Sequence, residues 1–275
     1  MLRMLDLFSG IGGFSYAGEK LVGGYETVAF CEYDKHAQKV LRKHWPDTEI
    51  IDDVRELAND ADRFRGLVDI VVGGYPCQPF SQAGKRLGDQ DDRHLWPAML
   101  AVIEKVRPTW VCGENVNGHI AMGVDTVLSD LEAANYTART FVIPAVAADA
   151  PHRRDRCWIV AHTNSNAKPD GTVNEQRLER ATVVGDTNSK GFRGTHNNKS
   201  VSKWVQREFS QPSDTLAARR KSRRQATQFW EPEPAVGRVA NGIPGRVHRL
   251  KQLGNSIVPQ VAARILWAIK EAHNG

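Results

Sequence analysis

One cysteine of the four stands apart from the rest. In "GGYPCQPFSQAGK", Gly73 to Lys85, Cys77 follows Pro76 and is bracketed by a second proline and by glycines. Proline fixes φ and glycine frees it, so the thiol sits in a stiff setting between two hinges. Cys31, Cys112 and Cys157 instead lie in the apolar runs "VAFCEY", "TWVCGEN" and "DRCWIVA" and read as small buried hydrophobes. No CxxC pair and no His/Cys grouping has zinc spacing, so no metal is expected and the thiols read as reduced.

A second group of residues suits a ligand. "DLFSGIGG" ends an apolar run in a turn whose Gly10, Gly12 and Gly13 let the backbone approach a bound molecule. Glu32 lies 19 residues beyond Gly13, near the ~20-residue offset at which an acid takes a ribose hydroxyl pair. The combination points to an adenosine-containing cofactor. Asp53, in "IIDDVREL", reads equally as an acceptor for an adenine amino group and as a helix N-cap. The glycines run Gly10-x-Gly12-Gly13 and then Gly18, which misses the dinucleotide pattern G-x-G-x-x-G. That misfit counts against NAD and leaves room for S-adenosylmethionine, which carries no phosphate.

Positioning such residues requires a sheet. "MLRMLDLF", "YETVAFCEYD", "LVDIVVGGYP", "TWVCGENV", "TARTFVIPA" and "RCWIVAH" read as strands; "DKHAQKVLRKHW", "HLWPAMLAVIEKVRP" and "VDTVLSDLEAANY" read as helices. The continuous β-branched run stopped by Gly73-Gly74 marks a strand buried on both faces. Strands alternating with helices predict an α/β fold, a mostly parallel sheet with helices on both faces, and such sheets take ligands at the strands' carboxyl ends. Near the end, Pro259 falls at the first turn of a final helix, where proline is tolerated.

At 275 residues the chain can bury a full core. No basic-then-apolar leader opens it and no apolar run approaches the ~20 residues of a membrane span, so a cytoplasmic, membrane-free protein is expected. The net charge of +5 is unevenly spread: residues 1–162 carry 18 basic and 23 acidic side chains, whereas 163–251 carry 17 basic and 8 acidic. The basic part is polar, loop-rich and interleaved with Trp and Phe, and it suits a polyanion. These shifts divide the chain into an α/β domain at 1–162, a small recognition region at 163–245, and a C-terminal segment at 246–275 that returns to the first domain.

The segments "DLFSGIGGFSYAGE", "CEYDKHA", "GGYPCQPFSQAGKRLGDQDDR", "GENV", "PHRRDRCWIV" and "RLKQLGNSIVP", in that order, make the chain resemble a DNA cytosine-5 methyltransferase of the prokaryotic and phage type. The resemblance implies the Rossmann-like fold of S-adenosylmethionine-dependent methyltransferases, that cofactor, and double-stranded DNA as partner of a monomer associated with the nucleoid. It makes residues 1–162 the catalytic and cofactor-binding domain, 163–245 the target-recognition region, and Cys77 the nucleophile that adds to cytosine C6. Glu114 is to hold the ring at N3, with Arg154 and Arg156 near the base and its phosphates and Asn115 bracing the loop. Glu114 must carry a proton to donate one, so a raised pKa is expected. Phe8, Gly10, Gly12, Gly13, Glu32, Tyr33, Asp53, Pro76, Leu95, Asn255 and Ser256 are to line the cofactor pocket. Arg154 and Arg156 alternate with Asp155, so on a strand their guanidiniums share a face. Ser81 to Arg93 is expected to be the lid over a flipped base. His152 departs from the family, where many relatives have Gln. A tRNA cytosine-5 methyltransferase of the same fold, a non-catalytic DNA-binding relative and a nicotinamide dehydrogenase are the rival readings.

Overall fold

The computed structural model describes residues 1–76, 95–163 and 252–275. Cys77, the expected lid and nearly all of the expected recognition region lie outside the described residues. Seven strands are described: β1 (Leu2–Leu7), β2 (Tyr25–Cys31), β3 (Glu49–Ile51), β4 (Ile70–Gly73), β5 (Trp110–Val116), β6 (Tyr136–Pro144) and β7 (Asp155–Thr163). They form one sheet in the order β3-β2-β1-β4-β5-β7-β6. All neighbours pair in parallel except β7, which runs antiparallel to both β5 and β6. The sheet is therefore mostly parallel, as the alternating pattern predicted. The reversal of β7 is not visible in that pattern, because an apolar run reads the same in either direction.

The helices follow from local signals. Short α1 (Gly13–Tyr16) runs into a π-helical turn at Ala17–Val22. Asp34 caps α2 (Lys35–His44), its side chain accepting from the amides of His36 and Ala37, and Arg42, Lys43 and His44 face the negative end of the helix dipole. α3 (Val54–Asp60), α4 (Trp96–Val106), α5 (His119–Met122), α6 (Val124–Ala133) and α7 (Pro259–Asn274) follow. Pro97 and Pro259 each stand in the first turn of α4 and α7, where a missing N–H costs nothing.

Period-two alternation splits the sheet's side chains between two cores. Leu5, Leu7, Val71, Val111 and Ile159 pack with α3, α4 and α6. Met4, Ile70, Val72, Cys112, Trp158 and Val160 pack on the other face with Phe14 of α1 and Val261, Ile265 and Leu266 of α7. Burial of each large side chain contributes roughly 1.5–3 kcal/mol, so the apolar face of α7 supplies most of its hold. Tyr25 Oη donating to the Leu266 carbonyl at 2.6 Å and Lys270 Nζ to the Gly23 carbonyl at 3.0 Å add to it. No helix among the described residues is long and apolar enough to cross a membrane.

Asp6 interrupts the second core. It is fully buried on β1, where Ser15 Oγ donates to Oδ2 at 2.7 Å and Oδ1 has no partner among the described residues. Burial pushes this carboxyl up to about 8 against the opposing Ser15 hydrogen bonds, so at neutral pH the folded chain keeps its proton. An unfolded chain, with an ordinary value near ~3.9, does not. Stability is therefore lost as pH rises through that window, at up to about 1.4 kcal/mol per unit. Thermal unfolding of the neutral isostere Asp6→Asn should show an advantage over the wild type that grows from about pH 4 and levels off above about pH 8.

Candidate active site

Successive connections leave β1 and β4 in opposite directions across the sheet. The crevice at their carboxyl ends is thus the topological switch point, where sheets of this kind take ligands. On the β1 side the backbone turns through left-handed geometry at Phe8, Gly10 and Gly12, with φ of 51°, 55° and 83°. Phe8 tolerates that strain while its ring packs against the core. A Cβ on Gly12 would lie 2.7 Å from the Trp45 ring and one on Gly13 2.6 Å from Ile257 Cγ1, so packing alone excludes a side chain at either position. Gly10 differs: among the described residues nothing lies within 4 Å of a Cβ placed there, so the turn is open on that side.

Glu32 stands one residue past β2 and joins that turn. Its Oε2 accepts from the Gly10 amide at 2.6 Å and its Oε1 from the Asp34 amide at 2.7 Å. A carboxylate offers about four acceptor positions, a number that suits two amides and a hydroxyl pair. Open glycine backbone beside such an acid fits an adenosyl group. From the opposite side, Ser256 Oγ lies 3.6 Å from the position of a Gly13 Cβ, and Asn255 is exposed in the preceding helical turn at 252–255. Tyr33 is exposed beside Glu32, Leu95 is partly buried against the core before α4, and Pro76 is exposed. Asp53 Oδ1 caps α3 by accepting from the Arg55 amide at 2.8 Å, which is the structural half of its two expected readings.

The second half of the site is built by β5 and β7. Their antiparallel register sets Glu114 opposite Trp158 and Val116 opposite Arg156. Glu114 and Arg156 are therefore diagonal neighbours on one face, a separation that a long side chain spans. Arg156 Nε donates to Glu114 Oε1 at 2.9 Å, with side-chain exposures of only 22% and 11%. Burial pushes the Glu114 carboxyl above its ordinary range, while the charges of Arg156 and Arg154 pull it back without cancelling the rise. Glu114 Oε2 overlies Gly74, 3.4 Å from where a Cβ would be. A side chain at position 74 would crowd this carboxylate.

Arg154 departs from the expectation of a shared strand face. β7 begins only at Asp155, and Arg154 lies before it with φ of 37°. Its Nη2 donates to the carbonyls of Gly254 and Ser256, both at 2.7 Å. The strand alternation therefore does not reach Arg154. Arg153 pairs at the surface with Asp155 instead.

The backbone that leads to Cys77 is fixed from beneath. Buried Asn115 donates from Nδ2 to the Tyr75 carbonyl at 3.1 Å. The Tyr75 hydroxyl is 2.9 Å from His119 Nε2, and its ring packs on Trp96 at 5.2 Å between centroids. Tyr75, His119 and Trp96 were not singled out from sequence, since a lone aromatic and a lone histidine 44 positions away carry no periodic signal. Cys31, Cys112 and Cys157 are all buried. Burial pushes the Cys31 thiol up to about 12 and raises that of Cys112 as well, which keeps both in the unreactive protonated form.

Strand order, the glycine turn and the acid that bridges it define an S-adenosylmethionine-dependent methyltransferase fold. The chain belongs to the C-5 cytosine-specific DNA methylase family, whose model matches residues 2–231. It is 34% identical over 171 residues to the Type II methyltransferase M.Eco47II of Escherichia coli, covering 60% of this chain and 40% of that protein. It is 31% identical over 217 residues to the Type II methyltransferase M2.BsuMI of Bacillus subtilis, covering 73% and 53%. The chain thus spans about half the length, or less, of these relatives. Among solved structures, the Dnmt2 methyltransferase of S. pombe is similar in fold, with a TM-score of 0.63 at 18% identity and 100% coverage of both chains. A DNA modification methyltransferase encoded within an E. coli prophage gives 0.61, also at 18% and with full coverage of both.

Removing the Arg156 guanidinium leaves only the charge of Arg154 to oppose the effect of burial on the Glu114 carboxyl. Arg156→Met should raise the Glu114 pKa further, and NMR titration of the carboxyl carbon measures the shift. Stability should fall by about 3 kcal/mol at pH 8, where the carboxyl is pressed to ionise without its hydrogen-bonded partner, and by less at a lower pH, where it protonates more readily. Denaturant unfolding at the two pH values checks the difference.

Proposed function

We propose that this chain is a DNA cytosine-5 methyltransferase, transferring a methyl group from S-adenosylmethionine to C5 of a cytosine flipped out of duplex DNA. The observation that carries the reading is the buried Glu114–Arg156 pair at the carboxyl edge of the sheet, in a chain of the C-5 cytosine-specific DNA methylase family. Carbon 5 of cytosine is a poor nucleophile, and the chemistry needs a thiolate at C6 and a proton at N3. The three other cysteines are buried, so Cys77 is the residue assigned to the thiolate.

In this reading Cys77 sulfur bonds to C6 and the displaced electron pair of the ring moves toward N3 and C5. Glu114, whose carboxyl burial biases toward the protonated form, donates to N3 and stabilises the resulting enamine. Arg156, held beside Glu114, reaches the cytosine carbonyl oxygen. Bound S-adenosylmethionine would supply an electrophilic methyl group for C5. Gly10, Gly12 and Gly13 would hold it at the turn and Glu32 at its ribose hydroxyls, with Phe8, Tyr33, Asp53, Pro76, Leu95, Asn255 and Ser256 around the pocket. Loss of the C5 proton to a base then expels the Cys77 sulfur as thiolate, returns the N3 proton to Glu114 and restores the C5–C6 double bond.

The substrate edge lies within the base stack, so extrusion costs a few kcal/mol. Residues 163–245 are assigned to DNA, as target-recognition region between the catalytic domain at 1–162 and the C-terminal segment at 246–275. The excess of Arg and Lys across 163–251 suits phosphate contacts that supply affinity and register. The protein acts as a monomer in the cytoplasm, at the nucleoid.

Bisulfite sequencing of DNA from cells expressing the chain tests the reading, with Cys77→Ala as control. Cytosines protected at a recurrent sequence are expected, and the alanine variant should lose at least about a thousandfold in rate. Labelled methyl donor offered to duplex DNA and to tRNA separates substrates; label confined to tRNA would overturn the choice of DNA.

A further inference from the structure

We propose that Arg154 is a positioning residue that ties the Glu114–Arg156 end of the site to the glycine turn, instead of a contact to base or phosphate. This rests on the reading of the turn as the cofactor site. Both hydrogens of its Nη2 are committed to main-chain carbonyls, those of Gly254 and Ser256, each at 2.7 Å. Bonds from a guanidinium to carbonyl oxygen are charge-assisted and directional, and here two of them converge from one nitrogen onto a single bend of chain. Nε of the same group is buried and has no partner among the described residues. The side chain therefore points into protein at both its inner and one of its outer nitrogens.

Backbone geometry supports the assignment. Arg154 adopts φ of 37°, a region that side-chain-bearing residues rarely enter. Such a conformation persists where the surroundings over-determine it; here they include the two carbonyl bonds made by the side chain and the Ala145 amide, which donates to the carbonyls of Arg153 and Arg154 at 2.7 and 3.4 Å. The bend they hold continues directly into Ile257, whose Cγ1 sits 2.6 Å from the position of a Gly13 Cβ. Ser256 Oγ is at 3.6 Å from the same point. On the other side, two residues along the chain, Arg156 grips Glu114. A contiguous path thus runs from the carboxyl through Arg156, Arg154 and residues 254–257 to the turn at Gly13. Its steps are the ion pair, the chain from 156 to 154, the two carbonyl bonds and the packing of Ile257 on Gly13, and Arg154 is the link across 100 residues of sequence.

Hydrogen exchange with mass spectrometry on the chain without ligand tests the link. In Arg154→Met, peptides covering 252–262 and the turn at 10–16 should exchange roughly tenfold faster, and Arg154→Lys should recover part of the protection by restoring one charged donor. Affinity for S-adenosylhomocysteine, measured by calorimetry without DNA, should weaken by about tenfold in Arg154→Met and less in Arg154→Lys. The Michaelis constant for the methyl donor should rise more than kcat falls. Unchanged exchange in both variants would overturn the proposal. So would a drop in DNA affinity with a salt slope shallower by about one unit and cofactor affinity intact, the signature of a lost phosphate contact. Faster exchange in a protein whose wild type has no affinity for S-adenosylhomocysteine would uphold the link and refute the cofactor reading instead.

Discussion

A single diagonal contact organises the carboxyl edge of this sheet: Arg156 Nε on Glu114 Oε1 at 2.9 Å. The contact exists because β7 enters the sheet antiparallel between β5 and β6. A parallel β7 would deliver its amino-terminal residues to the opposite edge, and the guanidinium would have no carboxylate to meet. The balance at Glu114 is equally specific. Burial alone favours the neutral acid, and an arginine alone favours the anion; their combination leaves a raised pKa on an oriented carboxyl. That is the state a proton donor to a ring nitrogen requires.

The two ends of the site are built by different means. At the β1 turn the requirement is close approach, met by glycines whose missing side chains admit Trp45, Ile257 and open space in turn. At β5 and β7 the requirement is charge placed out of water, met by register. Between them, Asn115 and the Tyr75–His119 pair fix the backbone just before position 77. Each of these supports sits on strands and helices packed into one of the two cores, so the geometry is held by elements that cannot shift independently.

Much of this is legible in the sequence, and the limits have physical causes. The continuous β-branched run and its Gly73-Gly74 stop mark β4, and Asp53 and Pro259 mark helix starts, because each acts through local sterics or a local hydrogen bond. The pairing of Gly10 with Glu32 is also readable, since both fall at consecutive strand ends of a repeating unit. Strand direction is not: nothing local distinguishes β7 from a parallel neighbour. The left-handed turn at Arg154 is equally silent, for it depends on carbonyls 100 residues away. Asp6 sits within a recognisable turn motif, yet its burial on the face toward α7 emerges only once α7 has docked.

Covalent capture addresses the central chemistry most directly. Duplex DNA carrying 5-fluorocytosine in its target sequence blocks loss of the group at C5, so a thiol that adds to C6 and is followed by methyl transfer stays attached. Incubation with S-adenosylmethionine and mass mapping of the product should yield one protein–DNA adduct, with the DNA on the peptide containing Cys77 and none formed when the methyl donor is left out. An adduct on another residue, or methylated DNA accumulating from the ordinary substrate while the fluorinated duplex traps nothing, would contradict it.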